Sequence, residues 1–132
     1  INQIKYFCPE EDYDNFCKNN KENIIRKSIG VFFVNLAKQN IICIDVICEI
    51  IVYIQEMIHT NIKKKGMREI VDELSEIEHA MIISGKDILE VSHQWSILFE
   101  HVRDIANSKT KDFESLTNKT IFKHMDILDC IG

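Results

Sequence analysis

The chain has 132 residues, of which 45% are hydrophobic and 28% charged, and a net charge of −5. The length fits one domain, the balance is ordinary for a soluble globule, and the acidic excess argues against a fold whose affinity comes from neutralising phosphates. One Pro and four Gly are too few turn formers for a sheet-rich fold and favour long helices with short links.

The chain opens on Ile, with no basic stretch ahead of an apolar one, so no signal peptide is expected and the sequence reads as a piece of a longer product. Residues 1–22 are weakly patterned: CPEEDY reads as a loop, and Tyr13, Phe16 and Cys17 hint at a helix beginning near Glu11. Over 23–39, Ile25, Ile29, Phe32, Phe33 and Leu36 form an apolar face, followed by a polar turn near Asn40.

The run IICIDVICEIIVYI, residues 41–54, is too short for a membrane span and carries two acids. Val46, Ile47, Ile50, Ile51, Ile54, Met57 and Ile58 recur at helical spacing, with Asp45, Glu49, Tyr53, Glu56 and Thr60 opposite. This predicts an interior helix with Asp45 able to cap its start and Lys63, Lys64 and Lys65 suited to its C-terminal end.

Over 67–84, Met67, Ile70, Val71, Leu74, Ile77 and Met81 share a face, and Gly85 is read as the stop. Ile88, Val91, Trp95, Leu98, Val102 and Ile105 alternate steps of three and four and predict the next helix, with Trp95 packing the core. The polar stretch NSKTKDFES separates it from a last helix carrying Ile121, Phe122, Met125 and Leu128, with Thr117 or Asn118 as its cap. Five or six such helices with short links predict antiparallel neighbours in a single all-α domain over 1–132. Helix pairs at about 40–47 residues per unit match helical-repeat solenoids, while a closed bundle stays open on periodicity alone.

Reactive chemistry is sparse. Gly30, Gly66, Gly85 and Gly132 are isolated and form no phosphate loop. The five cysteines, odd in number and irregularly spaced, point to reduced thiols in an intracellular, cytoplasmic setting. Cys43 and Cys48 point to different sides of their helix and read as structural thiols, and Cys8 and Cys17 lack a neighbouring base. His59, His79, His93, His101 and His124 show no HExxH spacing, and His93 and His101 lie two turns apart on one expected helix, so neither metal nor cofactor is expected. Glu69, Asp72, Glu73, Glu76 and Glu78 read as a solvated helix face, and the three lysines as a dipole-matched helix end with RNA contact secondary. No residue is assigned a catalytic role, and the chain is not expected to be an enzyme.

Three stretches carry a resemblance. RKSIGVFFVNLAKQNII, from Arg26, is similar to a helix reading basic-Ser-Leu-Gly and then Asn-Ile-x-Phe-Ile-Gly-Glu-Leu; Arg26, Ser28, Ile29, Gly30, Phe32 and Leu36 keep the pattern, whereas Val31 replaces the Asn and Asn35 displaces the Glu. IISGKDILE, from Ile82, resembles Ile-Gly-Lys-Asp-Leu-Asp. TNKTIFKHMDILD, from Thr117, aligns without a gap to Ser-Ser-Arg-Ile-Arg-Phe-Met-Leu-x-Asp-Val-Leu-Asp, matching at Lys119, Phe122, Asp126, Leu128 and Asp129. Together, over about residues 23–129, they resemble the C-terminal half of the middle domain of eukaryotic translation initiation factor 4G, the MIF4G family.

That resemblance implies a HEAT-type solenoid fragment and a non-catalytic cytoplasmic scaffold for a DEAD-box RNA helicase of the factor 4A type, with messenger RNA and a cap-binding protein as partners of the longer parent. By position it implies a helicase contact through Lys119, Phe122, Lys123 and Asp126, with Lys86 and Asp87 of the Gly85-Lys86-Asp87 turn nearby. Phe122 can equally be a packing residue of the last helix. His124 departs from an apolar family position, and Cys130-Ile131-Gly132 lacks the family's Arg. With the excess of Ile, Asn and Lys, typical of AT-rich coding, these departures suggest a divergent, virus-encoded member. Two alternatives remain: a MIF4G-like scaffold in splicing or mRNA decay, and an unrelated helical bundle such as a viral apoptosis modulator, which would take an amphipathic helix in an apolar groove.

Overall fold

The computed structural model describes residues 13–132. Its elements are α1 (Tyr13–Lys38), α2 (Ile44–Asn61), α3 (Arg68–Leu89), α4 (Trp95–Ala106), a 3-10 turn (Thr110–Asp112) and α5 (Asn118–Ile131). Among the described residues there is no strand, and no helix is long and apolar enough to cross a membrane. The CPEEDY loop up to residue 12, Cys8 and the expected helix start at Glu11 lie outside the described residues.

The isoleucine-rich run is α2, and Ile47, Ile51, Ile54 and Ile58 are fully buried along it. Its N-cap is Cys43 without a side-chain hydrogen bond, so Asp45 is not the cap; it sits in the first turn, where its charge meets the helix dipole. Asn40 turns the chain between α1 and α2 with a left-handed φ of 60°, which Asn tolerates better than most residues.

Gly85 does not stop α3, which runs on to Leu89. A Cβ on Gly85 would lie 3.0 Å from Val34 Cγ1, and one on Gly30 3.0 Å from Met81 Cγ. The two glycines therefore mark where α1 and α3 approach each other, and backbone proximity explains them rather than termination.

The periodicity from Ile88 to Ile105 also spans two elements rather than one. α3 ends at Leu89, Val91 is 83% exposed, His93 lies in the turn, and α4 starts at Trp95. The turn is closed by Ser92, whose N–H donates to Leu89 O and whose Oγ accepts from the Gln94 N–H. At α5 the expected cap holds: Thr117 Oγ1 accepts from the Thr120 N–H and donates to Asp72 Oδ1.

Packing is not sequential. α1 packs mainly on α3, α3 on α2 and α5, and α4 on α5 and α2, while α1 touches α2 only lightly. Cross-helix pairs advance in the same sense along alternate helices. Lys27–Glu76 and Val34–Gly85 follow one another between α1 and α3, and Thr120–Asp72, Lys123–Glu76 and Asp126–His79 between α5 and α3. Gln55–Leu98 and His59–His101 do so between α2 and α4. The helices thus form two rows, α1-α3-α5 and α2-α4, with the core between them. Ser115 anchors the linker before α5: its N–H donates to Ile62 O, and its hydroxyl bonds Lys64 O and the Met67 N–H.

The apolar face expected on α1 is largely bare. Ile25, Ile29, Phe32 and Phe33 are exposed, while Asn19, Asn23, Gly30, Val34 and Ala37 are buried. α1 ends its row, so only the side toward α3 is covered.

Candidate functional site

Lys119, Phe122, Lys123 and Asp126 recur at i, i+3, i+4 and i+7 and share one face of α5. Phe122 is 62% exposed, so it presents its ring outward rather than packing the helix down. Lys123 Nζ lies 3.2 Å from Glu76 Oε1, and Lys27 Nζ lies 3.8 Å from the other oxygen of the same carboxylate. His79 Nε2 and Asp126 Oδ2 are 2.7 Å apart. Burial raises the Glu73 carboxyl above its usual range, partly offset by Lys119. The α1-α3-α5 row therefore shows a surface of interleaved signs whose half-exposed pairs are each worth about 0–1 kcal/mol and can exchange partners at little cost. Lys86 and Asp87 lie at the C-terminal end of α3, two turns beyond His79; Lys86 pairs with Glu90 at 4.0 Å, and Asp87 is exposed. The structure joins the four α5 residues on one face and leaves Lys86 and Asp87 at its end.

A second constellation was not legible as a motif. Glu78 does not belong to a solvated acidic face; it is fully buried, as is His124. Gln55 of α2, Glu78 of α3, His101 of α4 and His124 of α5 meet at one point, each 23 residues after the last. Gln55 Nε2 donates to Glu78 Oε2 at 2.8 Å and to Leu98 O at 3.2 Å. His124 Nδ1–H donates to Thr120 O at 2.8 Å, which turns Nε2 toward Glu78 Oε1 at 2.6 Å. That close approach is off the hydrogen-bonding direction, so neither atom is satisfied by a well-aligned bond. His101 Nδ1 lies 4.0 Å from Glu78 Oε2, and neither ring nitrogen makes a well-aligned hydrogen bond, although the Gln55 backbone is near enough to favour its charged form.

The electrostatics follow from burial. Desolvation is the largest influence on Glu78 and opposes its charge, but His124, His101 and Gln55 together hold its carboxyl below the usual range. Desolvation likewise opposes the charge on His124, and the Glu78 carboxylate overcomes it, so the His124 pKa is raised. For His101 burial wins: its pKa is lowered despite Glu78, with His124 and His59 adding to the depression. Among the described residues the other cysteines and histidines do not gather into a comparable set: Cys48 is buried and donates to Ser92 Oγ, with its thiol pKa pushed up by burial, while Cys43 is exposed.

The described residues are all-helical, five α-helices in two rows with a charged outer face and a buried Glu–His cluster. Compared with family models, curated proteins and solved structures, the chain matches none.

Proposed function

We propose that this chain is a non-catalytic scaffold segment of the MIF4G type, a HEAT-like stack of antiparallel helix pairs that holds a DEAD-box RNA helicase of the factor 4A type in translation initiation. The two-row packing supports the stack, because parallel alternate helices are what repeated helix pairs generate. The three stretches that resemble the family fall on α1, α3 and α5, all in one row. The observation that carries the reading is Phe122, bare on α5 between Lys119 and Lys123 with Asp126 one turn on. An exposed aromatic among charged side chains has the make-up of an interface anchor with a polar rim, which supports the reading. A stiff platform touching both lobes of a helicase shifts its open–closed population by differential affinity, with no reaction centre of its own.

The test is a low-salt pull-down from cytoplasmic extract with wild type and Phe122→Ala/Lys119→Glu. The expected result is a DEAD-box protein retained by wild type and depleted at least about tenfold by the double substitution. No DEAD-box protein on wild type refutes the function; equal retention moves the contact away from α5.

One feature favours the groove-binding alternative: an apolar cleft of about 480 Å³ lined by Ile29, Phe33, Ile50, Tyr53 and Met81. Such a cleft can take an amphipathic helix. A partner lost with Phe33→Glu but kept with Phe122→Ala would decide for that reading.

A further inference from the structure

We infer that Glu78, His101 and His124 form a binding site for one divalent transition cation, with zinc the ion their donors fit best. One carboxylate and two imidazoles are a borderline-soft set of the kind zinc accepts alongside water. One donor atom from each of the three residues lies within 4.8 Å of the others. Ligand atoms about 2.0–2.2 Å from a tetrahedral ion stand about 3.4 Å apart. One Glu78 oxygen lies 2.6 Å from His124 Nε2 and the other 4.0 Å from His101 Nδ1, so side-chain rotation is what brings one donor from each residue to that spacing.

Two details favour an ion over a plain ion pair. Glu78 Oε1 and His124 Nε2 lie 2.6 Å apart without a well-aligned hydrogen bond, so both can turn toward a shared centre. An ion pair between them also leaves His101 without a well-aligned hydrogen bond, its Nδ1 4.0 Å from Glu78 Oε2. A cation at that point takes up an imidazole nitrogen that is otherwise poorly satisfied.

The surrounding shell is that of a ligand set. The Thr120 carbonyl fixes the His124 tautomer by accepting from Nδ1–H, and Gln55 holds the second Glu78 oxygen. Entry is provided by a surface cleft of about 450 Å³ lined by Glu56, His59, His101 and Asp104, whose two acids attract cations. The His59 ring packs edge-on against that of His101 at 6.2 Å between centroids, and water from the cleft completes the coordination. His101 is the hinge between cleft and cluster, its side chain 19% exposed.

The test uses the purified chain stripped with chelator and titrated with Co²⁺ and Zn²⁺ alone. One equivalent of Co²⁺ should bind with visible bands and no thiolate charge-transfer absorption. A hundredfold excess of Zn²⁺ over Kd should raise Tm by about 8–14 °C. His101→Ala, on the exposed side of the cluster, should weaken Kd by at least about tenfold while melting cooperatively, and His93→Ala should leave Kd unchanged. If His101→Ala does not fold, His101→Phe serves the same comparison. Absence of stoichiometric binding, a thiolate signature in the cobalt spectrum, or an affinity within about twofold of wild type in a folded His101 variant overturns the site.

Discussion

Removing the Glu78 carboxylate measures how much the buried cluster contributes to the fold. Both Glu78 and His124 are fully buried, and deleting one partner of such a pair costs about 3–5 kcal/mol because the other is left uncompensated. A chain of this length has a total stability of about 5–15 kcal/mol. Glu78→Ala in chelator should therefore lower Tm by about 10–20 °C, at roughly 3–5 °C per kcal/mol for this size. Glu78→Gln is milder: its carbonyl can still accept from Gln55 and its amide can donate to a neutral His124, for a cost of about 1 kcal/mol at pH 8.5.

The difference between wild type and Glu78→Gln must then depend on pH. His124 holds its proton more tightly folded than unfolded, so its stabilisation is complete below its ordinary pKa of 6.5 and is lost as pH rises through the folded value. Glu78 is depressed, so its contribution is present above 4.5 and is lost as pH falls through the folded value. His101 is depressed too; its preference for the neutral form is satisfied above 6.5 and lost as pH falls through its folded pKa. The pair is thus strongest between pH 4.5 and 6.5, with His101 opposing it there. Urea unfolding at pH 5.5 and 8.5 should show Glu78→Gln costing at least about 1 kcal/mol more at the lower pH. Equal costs at both pH values refute the charged pair.

The paired glycines should respond differently to substitution. Gly85→Val forces atoms into β-branched Val34 and should cost about 1–3 kcal/mol by chemical denaturation. Gly30→Ala meets only flexible Met81 and, with the helix-propensity gain, should stay within about 1 kcal/mol of wild type. Thr117→Ala removes the α5 cap and the hydroxyl that reaches Asp72, and should cost about 1–2 kcal/mol in the same assay. Phe122→Ala touches an exposed ring and should leave stability within about 0.5 kcal/mol, so any loss of partner binding reports the surface and not the fold.

Local periodicity carried the helices where their neighbours agree with it, as in α2, whose stripe of isoleucines is the buried face. It failed where a turn preserved the period. No Gly or Pro separates Leu89 from Trp95, and only the Ser92 hydrogen bonds break the pattern. It also could not say what covers a face: Ile25, Ile29 and Phe32 are periodic and exposed because α1 ends its row. The cluster was hidden for a different reason. Its members stand 23 residues apart, one per helix, beyond any local metal motif. A signal was nevertheless present: Gln55, Glu78, His101 and His124 each interrupt an apolar stripe, between Ile51 and Ile58, Leu74 and Ile82, Leu98 and Ile105, and Ile121 and Ile127. A polar residue on the apolar stripe of four successive helices is costly to bury unless the four meet.

That meeting divides the molecule mechanically. The cluster takes one residue from each of α2, α3, α4 and α5 and none from α1. Satisfied polar networks resist sliding, since any shift leaves a buried donor or acceptor without a partner. α1 instead meets α3 across a seam where Gly30 and Gly85 let the two helices approach against Met81 and Val34, with Lys27 reaching Glu76 across it. The α5 face bearing Lys119, Phe122, Lys123 and Asp126 therefore lies on a helix that the cluster pins, and the bare apolar face of α1 on a helix outside it. If the chain is the helicase scaffold proposed above, its contact residues lie on the helices the cluster pins. A cation bound at Glu78, His101 and His124 would act on those helices alone, stiffening the helix that presents Phe122 without touching its surface.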